Sequence, residues 1–316
     1  MDWKIIPECR STAEENKRRK RKEKMSFLYT ILMGIIQGIT EFLPVSSFGH
    51  LVIFQQFTGF SPDTGLLLEA MLHLGTLVAL ILVFKKDVSQ ILLEACRMIY
   101  DVVQNVQIYI SNKKTGQDQS YHRIVRTSYR KFVVLMTVSS IPTFILGFVS
   151  RNLARMAADS VLFAGIGLLI TGILLFVADF VPVGKKLPGE VTYDRAMWIG
   201  ICQGLAVFPG LSRFGVTLTT SRIFGMGKKF GLKYSLMLSI PAILGATVVE
   251  LGNFGSADMT IALGFSYILG AVVSGFVGLL CIRRMISWVR KVRFRMFAYY
   301  CFFIGIIAIA GNFLIS

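Results

Sequence analysis

Glu41, Ser46, Ser47 and His50 fall within ten residues of one another. They lie in the run Gly34-Ile-Ile-Gln37-Gly-Ile-Thr-Glu41-Phe-Leu-Pro44-Val-Ser46-Ser47-Phe-Gly-His50, which is otherwise apolar. Ionisable groups at membrane depth are costly and mark functional sites by default. A carboxylate can hold a divalent cation or take a proton. A hydroxyl or an imidazole can attack phosphorus or pass a proton.

The chain carries a second copy of this run. Gly200 to Thr217 aligns with Gly34 to Leu51 without a gap, and Gly34/Gly200, Ile35/Ile201, Gln37/Gln203, Gly38/Gly204, Phe42/Phe208, Ser46/Ser212, Phe48/Phe214 and Gly49/Gly215 are identical. The differences are chemical: Glu41 faces Val207, Ser47 faces Arg213, and His50 faces Val216. One copy holds the acid and the imidazole, and the other holds the cation.

If the two copies meet, Glu41, Ser46, Ser47 and His50 face Ser212, Arg213 and Thr217. Mg²⁺ is usually held by one or two carboxylates plus substrate phosphates. Arginine offers a rigid fork of donors that matches phosphate oxygens. Helix N-termini at each break would add backbone N–H groups for an anion. The set suits binding and cleavage of a phosphate ester or anhydride on a lipid, whose tail needs apolar walls. Plainer roles compete with this one. Ser46, Ser212 and Thr217 could cap helices, Arg213 could pair with Glu41, and Gln37 and Gln203 could hold the two copies in shape. His50 could be a satisfied core histidine. His73 reads as packing, His122 as a solvated loop residue, and Glu69 and Glu250 as snorkelling residues near span ends.

The elements that must position these residues are apolar helices. Hydrophobic residues make up 54% of the 316-residue chain and charged residues 16%, with a mean hydropathy of +0.62. Several runs approach the roughly 20 residues that cross a hydrocarbon core. The class is therefore an all-α integral membrane protein, and no cleavable signal peptide is expected. The net charge of +16 does not point to nucleic acid, because the basic residues lie between apolar runs. Five cysteines, Cys9, Cys96, Cys202, Cys281 and Cys301, show no CxxC spacing and read as small apolar side chains.

Segments 26–43 and 48–60 are too short to span and are separated by Pro44 and the serine pair, so they read as a re-entrant hairpin. Spans are expected at 66–84, 132–149 and 161–181, with a long, partly amphipathic, basic connection at 85–131. The pattern then repeats, with a hairpin of 196–208 and 214–224 and spans at 235–251, 261–282 and 296–315. Each half, 25–181 and 196–316, holds a hairpin and three spans. An odd number of spans inverts the second half, giving an inverted-topology repeat of six transmembrane helices plus two re-entrant hairpins in a single membrane domain. On this topology one side collects the basic loops and the other only Arg151 and Arg155. The basic side is expected to be cytoplasmic. The polar tail 1–24, ending in Lys17-Arg18-Arg19-Lys20-Arg21-Lys22-Glu23-Lys24, is expected to be disordered. It conflicts with that orientation: either the tail is not native or the topology is wrong, and the first is the favoured reading, with Met25 as a natural start.

The runs Gln37-Gly-Ile-Thr-Glu41-Phe-Leu-Pro-Val-Ser-Ser47-Phe-Gly-His50-Leu and Pro209-Gly-Leu-Ser212-Arg213-Phe-Gly-Val-Thr217 resemble those of the undecaprenyl-diphosphate phosphatases, or bacitracin-resistance proteins. The resemblance extends over 25–316. It implies an enzyme of the plasma membrane that converts undecaprenyl diphosphate to undecaprenyl phosphate, the carrier reused in cell-wall synthesis. It also implies a divalent cation, Mg²⁺ or Ca²⁺, an active site facing the extracytoplasmic side, and bacitracin resistance on overproduction. By position, Gln37 and Glu41 match the metal-associated element, Ser47 and His50 the nucleophile or proton-transfer residues, and Ser212, Arg213 and Thr217 the phosphate-binding loop. Gln37 stands where glutamate is common. Phe48 and Phe214 stand where small hydroxyl residues are usual, and are expected to pack together or line the cavity. The partners implied are a polyprenyl diphosphate lipid and the bilayer, no nucleic acid, with a homodimer left open. The competing reading is a transporter or flippase of phosphorylated polyprenyl lipid without hydrolysis. A weaker third is a membrane protein that binds a partner through the basic tail.

Overall fold

The computed structural model describes residues 26–60, 66–252, 261–291 and 293–315. The expected basic tail 1–24 lies outside them. The described chain is helical throughout: α1 (Ser26–Thr40), α2 (Ser47–Thr58), α3 (Leu67–Val83), α4 (Lys85–Thr115), α5 (Ser128–Val149), α6 (Arg151–Ala158), α7 (Val161–Phe180), α8 (Tyr193–Leu205), α9 (Arg213–Ile223), α10 (Lys228–Gly252), α11 (Ile261–Lys291) and α12 (Arg295–Ile315). Among the described residues α5, α7, α10, α11 and α12 are long and apolar enough to cross a membrane. The count rises to six if the pair α3–α4, bent by 89° at its junction, is taken as one. This is the signature of a multi-pass membrane protein.

One expectation is sharpened and one is corrected. The connection at 85–131 holds a 31-residue helix, α4, running to Thr115. The interval after α5, expected as a loop, forms α6. Outward-facing apolar side chains explain both, because they let chain with a polar composition run as an amphipathic helix.

The two breaks fall between α1 and α2 and between α8 and α9. In the first, Pro44 cannot donate to a continuing helix. Ser46 turns the chain at φ 65°, the one positive φ of a non-glycine residue among those described. Its hydroxyl then caps α2 by accepting from the Gly49 N–H at 3.2 Å. In the second, Gly210 takes φ 85° and Ser212 caps α9 by accepting from the Gly215 N–H at 2.9 Å. Thr171 of α7 holds this turn, donating to the Gly210 carbonyl at 2.8 Å and accepting from the Ser212 N–H at 3.0 Å.

The breaks touch each other. A Cβ on Gly49 would lie 2.7 Å from the Gly210 Cα, and the Ser46 hydroxyl donates to the Leu211 carbonyl at 3.4 Å. The flanking helices pack crosswise between the halves. Gly34 and Gly38 of α1 let it approach Gly270, Val273 and Val277 of α11, whereas Gly200 and Gly204 of α8 approach Ser139 and Leu146 of α5. Small residues four apart permit such close backbone contact in membranes. α3 packs along α11 and α7 along α12. Buried hydroxyls tie the centre: Ser139 of α5 donates to the Ala196 carbonyl of α8, and the Tyr234 hydroxyl of α10 reaches the Leu135 carbonyl at 2.8 Å.

Candidate active site

The first break delivers a carboxylate with two neighbours on one oxygen. The Ser47 hydroxyl donates to Glu41 Oε2 at 2.6 Å, and Gln37 Nε2 donates to the same oxygen at 2.9 Å. Gln37 sits one helical turn before Glu41, so its fully buried side chain comes up from below. Its amide nitrogen also meets His73 Nδ1 of α3, and that nitrogen lies 3.9 Å from Glu41 Oε2. With the Gln37 amide donating, Nδ1 accepts and the imidazole proton sits on Nε2.

The second break delivers Arg213 at the first position of α9. Its Nη1 is buried and has no hydrogen-bond partner among the described residues. An unsatisfied buried guanidinium donor is costly. Glu41, Ser46, Ser47, His73, Ser212 and Arg213 line one cavity of about 610 Å³, together with Glu69 and Gln203. Its walls are apolar, with Phe144, Ile145, Phe148 and Val149 of α5 and Ala246 of α10, and at its far end it reaches Arg151 and Ala154 of α6. The first turns of α2 and α9 begin at this cavity, and their positive ends favour an anion there.

Six of the eight expected residues gather here, Gln37 through its bond to Glu41. His50 and Thr217 do not. The structure corrects the placement of His50. Its Nδ1 is 2.7 Å from the Ser46 carbonyl and its Nε2 2.9 Å from the Tyr300 hydroxyl. Its ring stacks on Tyr300 of α12 at 5.6 Å between centroids, so both nitrogens are engaged away from the cavity. Thr217 is fully buried and returns its hydroxyl to the Arg213 and Phe214 carbonyls of its own helix. Ser46 and Ser212 are helix caps as well as cavity residues. Phe48 and Phe214 both line the cavity.

Two residues were read too plainly from the sequence. His73, taken as packing, supplies the imidazole that His50 does not. Glu69, taken as a snorkelling residue, is 5% exposed. Its Oε1 accepts from Gln55 Nε2 at 2.6 Å and its Oε2 is buried without a partner among the described residues. The signal was their spacing: an acid and a histidine four apart on an otherwise apolar helix share one face.

For a cation the donors are few, since no group of three or more His, Cys, Asp or Glu is poised to hold one among the described residues. Gln37 Oε1 is buried with no partner beside the Glu41 carboxylate. One carboxylate and one free carbonyl oxygen fit an ion whose remaining ligands come from substrate phosphates and water.

Compared with known proteins, residues 30–307 match the family model described as Bacitracin resistance protein BacA. The chain belongs to the BacA family. Both breaks fall inside the matched region. A relative from Alkaliphilus metalliredigens, named undecaprenyl-diphosphatase, is 37% identical over 90% of this chain and 98% of its own length. Undecaprenyl-diphosphatases from Methanosphaera stadtmanae, 33% identical over 90% of this chain and 98% of theirs, and from Desulforapulum autotrophicum, 32% identical over 92% and 99%, match equally fully. The BacA-family match thus runs from within α1 to within α12.

Proposed function

We propose that this protein hydrolyses undecaprenyl diphosphate to undecaprenyl phosphate and inorganic phosphate, which returns the carrier lipid to cell-wall synthesis and confers bacitracin resistance. The observation that carries the reading is the unpaired Arg213 Nη1 sharing a cavity with a serine hydroxyl hydrogen-bonded to a carboxylate. Arg213 and the first turns of α2 and α9 bind the terminal phosphate. Ser47 Oγ attacks its phosphorus while Glu41 takes the hydroxyl proton, and the bond to the bridging oxygen breaks, releasing undecaprenyl phosphate. Water then attacks the phosphoserine, and the proton held by Glu41 returns to Ser47 Oγ as it leaves. Gln37, itself held by His73, keeps the Glu41 carboxylate in place. A divalent cation, Mg²⁺ or Ca²⁺, would be held by Glu41 and Gln37 Oε1 and would neutralise charge on the diphosphate oxygens.

The apolar α5 wall suits the prenyl chain. The far end of the cavity reaches α6, which carries Arg151 and Arg155 on the poorly basic side of the chain. By the positive-inside bias that side is extracytoplasmic, in the plasma membrane. The crosswise packing of the two gapless sequence repeats supports an inverted repeat whose hairpins enter from opposite faces. The relatives' name, undecaprenyl-diphosphatase, favours cleavage over a carrier that moves the lipid uncleaved.

The test is phosphate release from undecaprenyl diphosphate in detergent with Mg²⁺ or Ca²⁺. Arg213→Ala is expected to lose about 100-fold or more in kcat/KM. Wild-type turnover no faster than that of Arg213→Ala would overturn the reading.

A further inference from the structure

α4 is built inside out. The face it turns toward the protein is polar. Glu94, 5% exposed, and Asp101 both bind Arg130. Asn105 exchanges two hydrogen bonds with the His122 backbone, at 2.8 and 2.7 Å. Asn112 exchanges two more with the Gln119 backbone, both at 3.0 Å. The loop after α4 is thereby laid back along its polar side. The outward face is apolar: Leu92, Cys96, Ile99, Val103, Val106 and Ile110 alternate spacings of four and three, which draws a straight stripe along a helix. Leu92 is 61% exposed and Ile99 66%. The stripe runs about 27 Å at the helical rise. A helix facing water has the opposite polarity.

The direction of α4 says what covers the stripe. α3 is apolar apart from Glu69, His73 and Thr76, and α4 leaves it at 89°. With α3 along the bilayer normal, α4 lies in the plane of the membrane at the level where the apolar run ends. Exposed lysines bracket it, Lys85 and Lys86 at its start and Lys113 and Lys114 at its end. Cations beside an apolar stripe match the two components of an anionic lipid surface.

We propose that α4 is an interfacial helix whose stripe sinks into the headgroup boundary of one leaflet and whose terminal lysines bind anionic lipid headgroups. The proposal depends on α3 crossing the bilayer and is independent of the reaction.

A thiol-reactive fluorophore on Cys96 of the full chain in nanodiscs tests it, with Cys96→Ser as background and Gln117→Cys on that background as the return-loop control. Brominated lipid is expected to quench the Cys96 label and iodide the Gln117 label. Brominated phosphatidylglycerol is expected to quench the Cys96 label about twofold more than brominated phosphatidylcholine. Lys85→Gln, Lys86→Gln, Lys113→Gln and Lys114→Gln combined should erase that preference while lipid quenching persists. Equal iodide quenching at both positions would overturn the proposal. So would energy transfer between labelled copies without lipid quenching, which would put a second chain on the stripe. Lipid quenching with no headgroup preference would overturn the role of the lysines.

Discussion

Ser47 and His50 stand three residues apart, yet they have opposite surroundings. Ser47 meets Glu41 in the cavity, and His50 is spent on Ser46 and Tyr300. Ser47→Ala is therefore expected to lower kcat by about 1,000-fold or more with KM little changed, and His50→Ala to stay within about tenfold of wild type. Steady-state phosphate release decides it, and the reverse order would return the nucleophile to His50. Gln37→Glu places a second carboxylate beside Glu41, and a doubly charged ion gains from it. The divalent-ion concentration for half-maximal activity is expected to fall by about tenfold, read from metal titrations of turnover. Both elbows were legible in the sequence because ionisable residues interrupt apolar runs there. The neighbour of His50 was not, because Tyr300 arrives from α12, 250 residues away.

The element scale is governed by how each helix ends. Gly210 turns the second break at φ 85°, and a Cβ there would lie 2.1 Å from the Ala164 carbonyl oxygen. Gly210→Ala combines backbone strain with a backbone clash. It is expected to lower the unfolding temperature in detergent by several degrees even with saturating ligand. An unchanged melting curve would count against the tight seam. At the α4–α5 junction, hydrogen bonds from the Arg130 guanidinium hold the Glu94 and Asp101 carboxyls below the usual carboxylate range. Such groups bind fewer protons folded than unfolded. Their contribution to stability is full above about pH 5 and is lost as pH falls below about 4. Limited proteolysis of the loop after α4 should accelerate across that window in wild type and be fast and flat with pH in Arg130→Gln. The sequence hid this junction because basic and polar residues between spans read as a connection. Its partly amphipathic character was legible; that it forms one continuous helix to Thr115 was not.

For the whole molecule, the repeated run and the apolar segments predicted most of the architecture, and the spans at 66–84 and 161–181 match α3 and α7 almost to the residue. The packing partners of the broken helices were not readable, because α1 chooses α11 and α8 chooses α5 through glycine contacts that sequence order does not encode. Each half thus holds the other's broken helix pair. Cleavage of the chain between Pro182 and Val183, exposed residues between the halves, is expected to leave both fragments co-eluting and active in detergent. Fragments that separate on size-exclusion would show that crosswise packing does not hold the molecule together.

Main chain meets main chain where Gly49 approaches Gly210. The spacing between the serine and the arginine is thus set by two peptide backbones, not by pliable side chains or by the tilt of the outer helices. Thin and thick bilayers change tilt at modest cost. Turnover should therefore stay nearly constant from short-chain to long-chain phospholipids, so that the enzyme works as well in a stretched leaflet as in a swollen one.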